Sequence, residues 1–258
     1  MKTAVQSNGK NAPEMAAVSS SFGKFKPEIE HAIRVPAVKT NRTLEKMKRI
    51  WRRSTRDGGL ELTTMWIGIK KLRYSAKDVD AFSIALAEFQ GQKDFSNHIG
   101  EFLSELINNC KENEVVIHTA HLSEKIDNLG YCNTRHLTVK GNAGWKAGSN
   151  MKGGTMTIEG DADGEVGLLM EVGSIIVKGN AGIWVGQKMK GGTITVEGNA
   201  GEHVGDQMQG GEIHIVGDTY KIAGDIWRGK IFHGDELVID KAWDPNELHE
   251  DAFDDYNR

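Results

Sequence analysis

The sequence predicts a mainly β protein: a right-handed parallel β-helix of about five to six coils with a 19-residue repeat, closed at its N-terminal end by a small α/β cap. Three observations carry that expectation. Of the 31 glycines in 258 residues, 23 fall between Gly141 and Gly234, and that stretch contains no proline, so each residue in it can donate a backbone N–H. The same stretch divides into consecutive units of equal length. Within a unit the apolar residues alternate with period two, and no run has the helical period.

The units begin at Gly141, Gly160, Gly179 and Gly198, each 19 residues long, and a fifth that is two residues short begins at Gly217. A partial unit precedes them, since Leu137 and Val139 share the phase of Ile194 and Val196. The second residue is Asn142, Asp161, Asn180, Asn199 or Asp218, which reads as turn chemistry tolerant of positive φ. Position seven is small or β-branched (Ala147, Val166, Val185, Val204, Ala223), and position eight is glycine (Gly148, Gly167, Gly186, Gly205, Gly224). Met151, Met170, Met189, Met208 and then Trp227 form a column at position eleven. Gly154, Gly173, Gly192 and Gly211 precede the alternating stretch that ends each full unit. Stacking such units places like above like about 4.8 Å apart, with the apolar columns inside and glycines at the corners. A phosphate-cradling loop is the weaker reading, because G-x-x-G recurs with no following helix and no G-x-x-x-x-G-K-[ST] is present.

The flanks divide the remaining chain into a basic arm over 1–58, a cap over 59–120, the β-helix over 121–235 and an acidic tail over 236–258. Residues 1–58 carry a net charge of +8 and residues 234–258 a net of −7, within a chain of net −4. Ser75 with Asp78 three residues on predicts a helix start, running through AKDVDAFSIALAEF. A second helix is expected in FSNHIGEFLSELINN, and a strand in EVVIHTA. In the arm, Leu44, Met47, Ile50 and Trp51 form one helical stripe in a basic surround. A docking arm, packed on a partner or on the chain's own body, is favoured over a disordered targeting or linker segment and over a nucleic-acid or membrane-surface contact, for which interleaved aromatics are sparse. No run approaches the roughly 18 apolar residues of a membrane helix, the first residues have no apolar signal region, and two cysteines make no disulfide framework. A soluble, cytoplasmic protein is expected.

Chemistry-bearing sets are few. His118, His121, Cys132 and His136 lie close in sequence, but residues three apart on a strand point to opposite faces, so a solvated strand edge is favoured over a zinc site. Asp161 and Asp163 sit at a turn, where aspartate has backbone reasons to be. His203, His214 and His233 fall at different repeat positions and make no stacked ligand row. Neither a G-x-S-x-G elbow nor a C-x-x-C pair is present. No catalytic, cofactor-binding or metal-binding residue is therefore assigned, and no cofactor is expected. Trp145 and Trp184 occupy adjacent repeat positions on the outer face, where exposed aromatics more often anchor an interface than a substrate.

The phrase G-N-A-G-x-x-x-G-x-x-M-x-G-G-x-I-x-V, as in GNAGIWVGQKMKGGTITVE, resembles the GxGxG repeat domain shared by the β-helical subunit of formylmethanofuran dehydrogenase and the C-terminal domain of the glutamate synthase large subunit. The resemblance covers about residues 128–235, and the Met before the paired glycines is closer to the formylmethanofuran dehydrogenase form. It implies a β-helix without catalytic residues, in which Gly141, Gly148, Gly160, Gly167, Gly179, Gly186, Gly198 and Gly205 are structural. In the C1 complexes this domain packs against an amidohydrolase-like protein that handles formyl transfer, and in glutamate synthase it separates glutaminase and synthase domains. The implied role is a non-catalytic scaffold subunit with catalytic partners of either kind. A self-assembling structural protein is the alternative from another class, and a metal enzyme using the His/Cys set is the weakest.

Overall fold

The computed structural model describes residues 41–56 and 59–242. The acidic tail beyond 242 and the arm before 41 lie outside the described residues. Among the described residues eight strands form one long sheet in the order β1-β2-β3-β4-β5-β7-β9-β10: β1 Glu114–His118, β2 His136–Lys140, β3 Lys152–Ile158, β4 Val172–Val177, β5 Thr193–Val196, β7 Gln209–Ile215, β9 Arg228–His233 and β10 Glu236–Lys241. All neighbours in it are parallel except β10, which folds back antiparallel on β9 through a turn at Gly234, φ 58°. A second side of the coil is a line of parallel bridges through Ala143, Ala162, Ala181 and Ala200, extended by β6 Ala200–Val204 and β8 Thr219–Ile222. The protein is thus a parallel β-helix of about six coils, as the repeat predicts.

The interior is built from columns that the repeat spells out. Val115, Leu137, Met156, Ile175, Ile194, Ile213 and Ile231 pair residue by residue up the long sheet, and all are buried. The four methionines of position eleven, the alanines of position three, the Ala/Val column of position seven and the Val/Ile column of position eighteen fill the rest. Glycines at position eight turn the corner at φ 68–75° in Gly148, Gly167, Gly186 and Gly205, and the room left by their missing side chains is filled by the isoleucine of the next coil.

Position two works differently from the expectation. Asn142, Asp161, Asn180 and Asn199 are not among the residues with positive φ. Their side-chain Oδ1 atoms instead accept the backbone N–H of the equivalent residue one coil on, at 2.9, 2.8, 2.9 and 2.8 Å. The left-handed non-glycine residues stand at positions six (Lys146, Glu165, Trp184, His203) and ten (Asn150, Leu169, Lys188, Gln207). At position six the unfavourable conformation is offset by a bond between coils: Lys146, Glu165 and Trp184 each donate N–H to the residue before their counterpart, at 3.0, 2.8 and 2.9 Å.

The last coil lacks one residue at this corner. Its register slips between Glu202 and Val204, so His203 has no partner in β8. Every residue after the slip moves by one, and Ile226, 1% exposed, takes the end of the methionine column rather than Trp227. The backbone confirms the shift: Trp227 donates to Met208 O at 2.9 Å, as Lys190 does to Met170 O and Gln209 to Met189 O.

Helices close the other end: α1 Arg42–Ser54, α2 Leu62–Lys70, α3 Ala76–Ile84 followed by a 3-10 turn Ala85–Phe89, and α4 Phe95–Asn109. The helix expected from Ser75 begins there, with Ser75 N–H donating to Asp78 Oδ2 at 2.9 Å, but its last turn tightens to 3-10. The arm's apolar stripe packs on the chain's own body. Trp51 lies 5.5–6.4 Å, ring centre to ring centre, from Phe89, Phe95 and Phe102, and Lys48 Nζ is 2.5 Å from Glu88 Oε1. The strand expected within the cap, β1, is the first rung of the long sheet, so the cap proper is helical. Helix α4 meets the first coil at Gly100, where a Cβ would collide with Asp127 O, and Ser104 bridges the joint by donating to Asn128 O at 3.1 Å and accepting from Gly130 N at 2.9 Å.

Candidate functional site

The outer corner at positions five and six carries the one sizeable aromatic row on the wall of the solenoid among the described residues. Because position six is left-handed in four successive coils, the side chains there project from the same bend. Trp145 reaches across Gly164 of the next coil, where any Cβ would fall 2.3 Å from its Cζ3. Its ring lies 6.5 Å from that of Trp184, which in turn stacks on His203 at 6.3 Å and 28°. Two tryptophans and a histidine thus make a ridge that follows the coil axis, with Trp145 still 38% exposed. Its flanks carry two ion pairs, Lys125 with Asp163 at 2.5 Å and Lys146 with Glu165 at 3.7 Å, and the Glu202 carboxylate lies 3.8 Å from His203 Nε2. An apolar centre with a charged rim is the composition of a protein-binding surface.

Beside the ridge is a polar set with no sequence signal apart from the repeat spacing. Gln187 Nε2 donates to Asp206 Oδ2 at 2.7 Å, and the Asp206 carboxyl also meets that of Asp225. Burial raises the Asp206 carboxyl above its ordinary range; the bond from Gln187 opposes this, while the hydrogen bond and charge of Asp225 add to it.

Of the four-residue His/Cys set the fold keeps only His118 and His121 close enough to interact. His118 Nε2 faces Asp80 Oδ1 of α3 at 3.1 Å. His121 is held below its ordinary range first by burial and then by the neighbouring His118, and its Nε2 is buried without a hydrogen-bond partner. Cys132 turns the first corner at φ 53° beside Tyr131, whose hydroxyl it pushes up. His136 pairs across coils with Thr155 Oγ1 at 2.9 Å. Among the described residues no group of three or more His, Cys, Asp or Glu could hold a metal ion.

Asp161 and Asp163 also part company, the first accepting from Asn180 N and the second pairing with Lys125. His203, His214 and His233 have three different surroundings: Trp184, Phe232 (stacked at 4.4 Å) and Gly217 O (3.0 Å). The remaining perturbed groups are structural. Burial pushes the Cys110 thiol up to about 11 and raises the Tyr74 hydroxyl, which donates to Leu106 O at 2.8 Å. Among the described residues no helix is long and apolar enough to cross a membrane. No protein-family model matches the chain, and no curated protein matches it.

Proposed function

We propose that this chain is a non-catalytic β-helix scaffold subunit of a multi-subunit C1-transfer enzyme in the cytoplasm, of the formylmethanofuran dehydrogenase or formyltransferase/hydrolase kind, with a catalytic amidohydrolase-like partner packed against its wall. The observation that carries the reading is the Trp145–Trp184–His203 ridge, a rigid aromatic line on a surface whose repeat-defining residues are all used in building the coil. Rigid aromatics offer large contact area at small entropic cost, and a hydrogen-bonded solenoid holds them in place. The Met-Gly-Gly register of the repeat favours the C1 complexes over the glutamate synthase arrangement.

The test is purification of the tagged chain from its native host. Larger subunits co-eluting in fixed ratio are expected, and Trp145→Ala/Trp184→Ala removes them while the far-ultraviolet circular dichroism stays unchanged. Partners resembling a glutaminase and a flavin-dependent synthase would move the assignment to amido transfer. A chain that elutes without larger subunits overturns the proposal. A second reading, self-assembly, is favoured by the C-terminal end, where β10 is the outermost strand of the sheet among the described residues and Leu237 (43%), Val238 (37%) and Tyr220 (88%) are exposed. Light scattering on recombinant protein separates the two, since a stable oligomer without partners supports self-assembly.

A further inference from the structure

Where β10 folds back against the last coils it closes one side of a groove of about 400 Å³. Three successive coils supply its wall, through Lys190, the Gly210–Gly211 pair, and Arg228 with Lys230; β10 adds Asp240 and Lys241. Four cations therefore converge on one cavity against two carboxylates, Glu212 and Asp240. Glu212 is turned toward His214 Nε2, 3.5 Å away. Among the described residues none of Lys190, Arg228, Lys230 or Lys241 is within ion-pair distance of an acid. Four cations against two carboxylates, one of them Asp240 opposite Lys230 across the β9–β10 pair, leave a net positive charge in a concave site, which raises the local potential and concentrates anions there.

We propose that this groove binds a small phosphate-bearing anion. Three features select that class. Its volume is that of a small-molecule site rather than a track for a polymer, and no aromatic residue lines it on which bases could stack. Arg228 offers the planar fork that grips two oxygens of a phosphoryl group, and three lysines supply mobile point charges for the rest. Gly210, Gly211 and Gly229 line the groove without side chains of their own, so its chemistry is set by the charged residues around them. The signal in sequence is partial: Lys190 and Arg228 both start a glycine corner of the repeat, whereas Lys241 joins only because β10 reverses direction.

Isothermal titration calorimetry on the full chain at low ionic strength, with inorganic pyrophosphate, tests the assignment. Saturable binding is expected, weakened about ten-fold or more by Arg228→Ala/Lys230→Ala. Lys46→Ala/Arg49→Ala, which removes two cations from helix α1 at the other end, leaves the affinity unchanged. Circular dichroism and thermal melting of both variants establish that each is folded. ATP binding as tightly as pyrophosphate assigns recognition to the phosphates alone, and tighter ATP extends the site to a nucleotide; either supports the proposal. It is overturned by no saturable binding up to about 5 mM pyrophosphate, by citrate matching or exceeding pyrophosphate, or by equal losses in the two double variants.

Discussion

Gly148 and Ile175 share one space: an ideal Cβ on Gly148 would lie 2.4 Å from Ile175 Cδ1, one coil further along. The same pairing recurs as Gly167 with Ile194, Gly186 with Ile213 and Gly205 with Ile231. Each glycine also has φ near 70°, so two requirements meet at one residue, a left-handed corner and an empty side-chain volume that a neighbour occupies. These columns tie each corner to the sheet of the following coil.

The first prediction follows from that double requirement. Gly186→Ala is expected to cost about 2–4 kcal/mol, combining a left-handed alanine with overpacking against Ile213 Cδ1. Ile213→Val removes the colliding methyl and by itself costs about 1 kcal/mol. The double variant therefore loses less stability than the sum of the singles. Denaturant melts of the four proteins in the cycle measure this coupling. Additive losses would mean that strain of φ alone makes the glycine necessary.

The Asn and Asp column is separately testable. Asn180 Oδ1 accepts the N–H of Asn199 at 2.9 Å, so Asn180→Ala leaves that donor to water on a partly exposed corner and is expected to cost about 1 kcal/mol. Asn180→Asp keeps an acceptor in place, as Asp161 does one coil earlier, and in high salt, which screens its repulsion from the Asp161 carboxylate, its melting temperature should stay close to that of the wild type. Equal losses in the two variants would contradict an acceptor role.

What the sequence made legible was everything the repeat repeats. The long-sheet register, the methionine column and the glycine corners follow from residue types that recur, because one physical requirement is imposed once per coil. The left-handed corner at position six was invisible, since Lys146, Glu165, Trp184 and His203 share a conformation and no chemistry. Position two was visible but suggested positive φ, because Asn and Asp serve both turns and side-chain hydrogen bonds to the backbone. The end of the methionine column was misassigned by one residue: Ile226 and Trp227 are both apolar, and only pairing between coils shows where the deletion lies. Helix α2 escaped notice because Leu62, Trp66 and Ile67 are exposed, which erases the one-sided pattern, while Gly68 packs against Ile50 of α1. Of the site, both tryptophans were legible as exposed aromatics, but their alignment with His203 depends on how many residues each bend holds.

Alkaline pH probes the joint between cap and coil. The Cys110 thiol is 1% exposed, and burial raises it to about 11 from the ordinary 9.0. The unfolded chain thus loses its proton first as pH rises, and the stability contributed by the neutral thiol, fully present below pH 9, is lost on passing through the folded value. Cys110→Ala removes this component, so its stability should fall less steeply than the wild type between pH 9 and 11. Denaturant midpoints across that range measure the difference. Parallel curves would show that other groups, Tyr74 among them, account for the alkaline loss.

The carboxyl pair beside the ridge has the same sense of dependence at the acid end. With its carboxyl raised first by burial and further by Asp225, Asp206 favours the proton in the folded state. Its contribution to stability is therefore full below the unfolded value and declines as pH rises through the folded one. At neutral pH the two carboxylates repel across one coil step. Asp225→Asn removes that repulsion and leaves an amide able to donate to Asp206, so its melting temperature should exceed that of the wild type at pH 7. At acid pH, where Asp206 carries a proton and bonds to Asp225, that repulsion is gone and the advantage of the variant should vanish. A gain that persists unchanged at pH 3 would place its origin in packing rather than in charge.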